Sequence, residues 1–576
     1  MQKNMRHSIE VAMGRKKGDL LLKNAKVICT FTEEVIDADI LIANGYIVSL
    51  CGGEADHIIH LNGRFVAPSF IDAHIHIESS MLTPKNFSHV VVPHGTGAII
   101  TDPHEIYNVQ DRAGFDFMMH DSENVDMNIF FTIPSCVPAT LLETSGGKID
   151  VEALENILQQ YGKKRIVGLS EMMNYPGVCL NIENVIQELE WAENHRFIRD
   201  GHAPLVRGKE LNAYLNAGIQ SDHECSSMEE ALEKLRLGMW IFIRDGSAAR
   251  NLDNLVPLIQ NNTVHRICIC SDDRHPEELL EKGHLDYTLQ RLCDHGIDLP
   301  RAIRLMTLNP STFYQLPNLG AIAPGYAANF ILFSDWNHFQ VEEVYFQGKK
   351  VAENGKRMAE NSIYSPYTEQ KQFIKSTITL PSNIKERFQQ YPTTGQIRSI
   401  VVRDGELLTD CKTLDIQDMK KQDVAYMAVL TRHATSQSQN IGLGFVSGFQ
   451  LKNGALASTV AHDSHNLIVI GSDIPNMLTA IEQIQQIQGG LCVIQNNKTL
   501  ATLPLPIAGL MSDKNAEQVV QEKKILEHAT QQICTGVKNA FMMMSFLALP
   551  VIPHWKLTDK GLVHVDTQEI DVKNSF

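Results

Sequence analysis

His74-Ile75-His76 closes an apolar run, Phe65 to Ala73, that reads as a buried strand. Two histidines two residues apart on a strand point to one face, so at a strand's end they can reach one metal ion together. Further along stand Glu171, His202, His223 and Asp272, each just behind a short apolar run of its own. Imidazoles and carboxylates are the ligands that suit divalent zinc, manganese or iron. A lone His-x-His is weak, since histidines at strand ends are often ordinary polar caps. The ordered series His-x-His, Glu, His, His, Asp over about 200 residues is far more specific.

The elements that must hold these residues follow from periodicity. Apolar strands alternate with helical patterns: Ala98-Ile99-Ile100 with a segment from Arg112 to Met119, Asn128 to Phe131 with Val151 to Tyr161, and Ile166 to Leu169 with Asn181 to Asn194. The alternation continues with Met239 to Phe242 before Asn254 to Gln260, and Arg266 to Ile269 before Pro276 to Gln290. Repeated β-α units imply a parallel sheet, and about eight of them in about 250 residues imply a closed barrel. Active sites of such barrels lie at the C-terminal strand ends, which is where the candidate ligands fall.

Strand-rich blocks flank this region. Residues 19–64 hold short strands with an Asn44-Gly45 hairpin signal, and a second block runs from Gly320 through Asn329 to Phe333 and on to Gln347-Gly348. Residues 353–375 are polar and read as a linker. Strands then resume at Ser399 to Val402, Ala425 to Val429 and Leu467 to Gly471, with a helix from Ile474 to Ile487, as in an appended α/β domain. Gly442, Gly444 and Gly448 lack the spacing of a dinucleotide loop and read as hairpin or bulge glycines.

Composition narrows the class. The chain has 576 residues, 43% hydrophobic and 20% charged, with a formal net charge of −16. Such a length suggests several units, and the acidic balance argues against nucleic acid as a partner. Eleven scattered cysteines without a C-x-x-C pair read as reduced thiols, Cys268 and Cys270 as buried ones. The polar start and the lack of an apolar run of about 18 residues point to a soluble, cytoplasmic protein without membrane association. Met542-Met543-Met544 reads as core or interface packing rather than a soft-metal site.

The order of candidate ligands resembles that of the amidohydrolase superfamily. A closer resemblance, to the bacterial-type adenine deaminases, is carried by Pro68 to Ser80, Thr101-Asp102-Pro103-His104-Glu105, Ser221 to Glu224, Cys270 to Asp273 and Ala461-His462-Asp463-Ser464-His465-Asn466. It runs from about Asp19 to the C-terminal region. It implies an α/β fold: a TIM-type (β/α)8 barrel over residues 66–318, flanked by a small β-sandwich built from 1–65 and 319–355, with a C-terminal α/β domain over 376–576. The family usually carries an acid where this chain has Asn329, a departure outside the ligand series.

The resemblance further implies two divalent ions per chain, manganese with iron or zinc as alternatives. His74, His76 and Asp272 would hold one, His202 and His223 the other, and Glu171 would bridge them. A shared hydroxide would attack C6 of adenine, and Asp272 would carry its proton to the departing amino group, giving hypoxanthine and ammonia. Asp102, His104 and Glu224, with Glu78 as a further possibility, are candidates to hold the purine ring and its protons; for Asp102 and His104 a simple turn is the alternative. His462 and His465 stay open between turn hydrogen bonds and a place in the barrel site. Arg244 and Asp245 read as a local ion pair. The implied partners are adenine and water, in a homo-oligomer read as a dimer. Hydrolysis of a cyclic amide or N-acyl bond on the same metals, or a catalytically silent purine-binding paralogue, are the competing readings.

Overall fold

The computed structural model describes residues 4–247, 250–260, 264–358, 378–406, 408–436 and 438–571. Residues 359–375 of the expected linker lie outside these. Eight consecutive parallel strands carry the site. They form a five-stranded sheet, Phe70–Ile75, Thr96–Thr101, Asn128–Ile133, Ile166–Met172 and Ile198–Gly201, and a three-stranded sheet, Ser221–Asp222, Trp240–Arg244 and Ile267–Cys270. The sheets meet at both ends: Gln220 donates its N–H to the Arg199 carbonyl at 3.0 Å, and a parallel bridge pairs Ile75 with Asp272.

Helices return the chain between strands, as the β-α reading expects. Val151–Tyr161 starts at Asp150, whose side chain accepts from the Ala153 N–H, and Glu183–Asn194 and Leu252–Gln260 follow their strands. Two expected helices differ. The segment expected from Arg112 extends over His104–Asp121 with a break at Asp111, φ 52°. The one expected from Pro276 to Gln290 is two helices, Pro276–Glu281 and Leu285–Asp294, because Gly283 between them takes a left-handed φ of 96°.

Strands from both flanks pair with each other, Phe330–Phe333 running antiparallel to Phe65–Pro68, within one nine-stranded sheet. Asn329 lies just ahead of this strand and accepts the Gln347 N–H at 2.8 Å, remote from the ligand series.

The C-terminal part combines strands and helices around an eight-stranded sheet, but its pairing is antiparallel at every step except Gln396–Val401 against Ile441–Ser447. The reason is visible in one strand, Val424–Leu430. Its Ala428 and Leu430 pack with Met477, Ile481 and Ile484 of the helix Ile474–Ile487, while Met427 and Val429 belong to the large core that also packs the parallel strands against their helices. Both faces are covered, so the strand reads as a continuous apolar run whatever its pairing partner's direction. Gly442 lies inside a strand where the chain passes closely: a Cβ there would fall 1.9 Å from the Thr558 carbonyl oxygen. Cys268 and Cys270 are buried, and all eleven cysteines are free. No helix among the described residues is long and apolar enough to cross a membrane.

Candidate metal centre and its cavity

Six side chains converge at the C-terminal ends of the eight strands. His74 and Glu171 sit within the last two residues of their strands, and His76, His202, His223 and Asp272 follow theirs by one or two residues. His74 Nε2 lies 3.2 Å from His76 Nε2. Glu171 stands between the two sets of histidines. Its Oε1 is 3.3 Å from His76 Nε2, and its Oε2 is 2.9 Å from His202 Nδ1 and 3.1 Å from His223 Nε2. Asp272 faces His76 and His223, each at 3.6 Å.

The rings are aimed from behind. His76 Nδ1 donates to the Asp102 carbonyl at 3.0 Å, which leaves Nε2 free to face the centre. His74 Nδ1 faces Asp200 at 3.6 Å, and Tyr314 donates to that same Asp200 at 2.7 Å. Four imidazole nitrogens and two carboxylates therefore point their lone pairs into one buried space. That donor set suits divalent cations, and Glu171 offers one oxygen to each half.

Charges in this space are strongly coupled. Burial alone would raise Glu171, but the charges of His202 and His223 and their hydrogen bonds hold it well below the usual carboxylate range. For Asp272 too, burial is overcome, chiefly by the Arg244 guanidinium and then by His223 and His76, so its pKa is lowered. His202 is raised to about 9, the charges of Glu224 and Glu171 outweighing burial.

Arg244 and Asp245 do not form the expected local pair. Arg244 Nη1 donates to Glu224 Oε1 at 2.6 Å and to Asp272, whereas Asp245 accepts from Arg291 at 2.5 Å. Strand geometry explains this. Arg244 pairs in register with Cys270, so a long side chain leaving the strand end meets Asp272 two residues on. Glu224 thus comes to the rim of the centre, 3.6 Å from both His202 and His223.

Asp102 and His104 are also at the centre. The Asp102 carboxylate accepts from His104 Nδ1 at 2.9 Å, and His104 lies 3.7 Å from Glu171. The next residue, Glu105, reaches the C-terminal domain. It accepts from His462 Nδ1 at 2.6 Å and from His465 Nε2. Because His465 Nδ1 accepts the Ala461 N–H at 3.1 Å, the ring proton sits on Nε2 and is given to Glu105. Both histidines of the His-Asp-Ser-His stretch therefore reach Glu105, beside the strand-end cluster of their own chain. Asp463, not singled out from sequence, follows them in and lies 3.9 Å from His104. Phe546, also missed, stacks on His462 with ring centres 4.8 Å apart. Asp463 was visible only as part of that stretch, and nothing local in the sequence marks Phe546, which matters through a partner far along the chain.

These groups enclose a cavity of about 600 Å³, with His76, Glu171, His202, His223 and Asp272 on one wall, His74 behind them, and His462, Asp463 and Phe546 on another. Glu78 is not on this wall. It accepts the Ile106 N–H at 3.2 Å and borders a neighbouring cavity of about 130 Å³, which also touches Glu105 and His462.

Comparison with known proteins agrees with the two-part architecture. Residues 65–351 match the amidohydrolase family, and residues 393–569 match the adenine deaminase C-terminal domain. An adenine deaminase of Desulfatibacillum aliphaticivorans is 41% identical over 565 residues, covering 97% of each chain. Adenine deaminase 2 of Carboxydothermus hydrogenoformans is 39% identical over 98% of each chain. An adenine deaminase of Clostridium acetobutylicum is 40% identical over 97% of this chain and 98% of its own. With both parts matched in order and relatives aligned nearly end to end, the chain belongs to the adenine deaminase family of the amidohydrolases.

Proposed function

We propose that the protein hydrolyses adenine to hypoxanthine and ammonia. The observation that carries this reading is a wall of His76, His202, His223, Glu171 and Asp272, backed by His74 and able to hold metal, facing a ceiling of His462, Asp463 and Phe546 across one cavity. Its scale, about 600 Å³, admits a purine base with room to spare.

His74, His76 and Asp272 would hold one divalent ion and His202 and His223 a second, with Glu171 between them. Manganese is favoured by the hard carboxylates, with iron or zinc as alternatives. Two such ions supply a hydroxide nucleophile at neutral pH. The chain's own groups must then move protons, because an amide ion is too basic to leave. Asp272 accepts the proton of the attacking oxygen and delivers it to the exocyclic nitrogen, which departs as ammonia. Its low pKa keeps it ionised before attack. Glu224 and His104 line the cavity and can hold the ring nitrogens, one of which gains a proton as the carbon becomes tetrahedral, and Asp102 acts through its 2.9 Å hydrogen bond to His104.

We also read the eight strands as a closed barrel. Ile71, Ala98, Ile198, Phe242 and Cys268, from five different strands, share one interior cluster. The flanking sheet reads as folded over into a sandwich, supported by the common cluster of Leu20, Ile40, Val66 and Phe330.

The test is a substrate panel with manganese-loaded protein. Loss of adenine absorbance matched mole for mole by ammonia is the expected result. No turnover of adenine alongside hydrolysis of a cyclic amide would replace this reading with the amide-hydrolase one.

A further inference from the structure

Lys234, on the helix Met228–Arg236, has a fully buried side chain. Its ammonium donates to Asp222 Oδ2 at 2.8 Å, to Glu230 Oε1 at 2.7 Å and to the Ala203 carbonyl at 2.6 Å. Asp222 and Ala203 are the chain neighbours of His223 and His202. The two carboxylates extend the pattern, because each spans both loops. Asp222 Oδ1 accepts the Ala203 N–H at 2.8 Å from one loop and the Glu224 N–H at 3.3 Å from the other. Glu230 accepts the Leu205 N–H at 2.8 Å from the first and the Ser226 N–H at 3.2 Å from the second.

One cation thus ties together four backbone positions around His202 and His223. These two histidines need such a tie. The strands before them are only four and two residues long, and His223 Nδ1 has no hydrogen-bond partner to aim its ring. A buried ion pair contributes little net stability compared with apolar packing, so its value here is geometric.

We propose that Lys234 is a positioning residue for the second ion. By clamping Asp222, Glu230 and the Ala203 carbonyl it sets the spacing of His202 and His223, and so the affinity of that half of the centre. This rests on the reading that His202 and His223 hold an ion.

The experiment is a chelator titration of the manganese-loaded protein, with metal per chain read by elemental analysis. Wild type should hold two ions. Lys234→Met should lose one at 10- to 100-fold lower chelator, the usual scale for groups behind a ligand, while the other ion titrates as in wild type. Removing the cation alone leaves two buried carboxylates without it, which can impair folding. The double variant Lys234→Met/Glu230→Gln keeps the buried charge of the trio at its native −1 and should show the same selective loss. His202→Ala is the control. If it still holds two ions, the assignment of His202 fails. If it drops to one while both Lys234 variants titrate like wild type, the clamp is overturned.

Discussion

The floor of the cavity, where the candidate metal ligands converge, and the ceiling over it are built by different means. The floor is largely a product of backbone. His74 and Asp272 face each other because the Asp272 N–H donates to the His74 carbonyl at 3.0 Å and the His76 N–H to the Asp272 carbonyl at 3.3 Å. The ceiling arrives from a sequence 357 positions away, and at the cavity its tie is made by side chains, the Glu105 carboxylate between His462 and His465. Around it a shared apolar core and further bonds join the two parts, such as the Ser512 N–H to the Met81 carbonyl at 2.8 Å and Asn466 to the Thr144 carbonyl at 2.7 Å. The difference teaches that the facing of His74, His76 and Asp272 comes from paired strands, whereas the seating of the ceiling leans on side-chain charge.

The sharpest break in this contrast is Glu171→Gln. A neutral amide joins two cations poorly, so metal content should fall from two ions toward none, and turnover with it. Elemental analysis that still finds two ions would show that each half of the floor stands without its bridge.

Asp272→Asn separates chemistry from architecture. Asp272 has a left-handed φ of 55°, which asparagine also tolerates, so the floor should keep its shape. Turnover should fall by roughly 10² or more, because the amide cannot accept the proton. Near-normal ammonia release with both ions bound would move the role to Glu224 or His104.

The most local effect concerns the ceiling, and pH should reveal it. Burial pushes His462 down, but the charge and hydrogen bond of Glu105 push it further up, to about 9. Its contribution is therefore complete below pH 6.5 and is lost as pH rises toward 9, by up to about 3 kcal/mol. Burial lowers His465 to about 4, so its contribution is present above 6.5 and is lost as pH falls through 4. Hydrogen exchange across Ala461 to Asn466 should show greatest protection near pH 6.5, with floor strands such as Phe70–Ile75 changing much less. Protection that climbs steadily to pH 9 would show that Glu105 is not the tie.

The floor was largely legible in the sequence, and the ceiling only in part. His74, His76, Glu171, His202, His223 and Asp272 each stand at the end of a short apolar run, and strand ends of a β-α repeat meet at one face, so local pattern carried their convergence. Val151–Tyr161 and Ile474–Ile487 were likewise visible from spacing. Arg244 was misread because its partner is set by strand register, and the roles of Lys234 and Phe546 depend on neighbours that no local periodicity specifies. The His462 stretch could be singled out by composition, yet its target, Glu105, could not be chosen among the many acids of the chain. The antiparallel C-terminal sheet escaped for another reason, since apolar runs covered on both faces carry no sign of strand direction.

The bridge between Ile75 and Asp272 has a dynamic consequence. It joins the first and eighth strands at the very residue assigned the proton transfer, so any breathing of that seam would separate His76 from Asp272. The amide of Asp272 is a built-in gauge. Its exchange with solvent reports how often the two strands part, and so the fraction of time the centre is assembled, without a substrate being turned over.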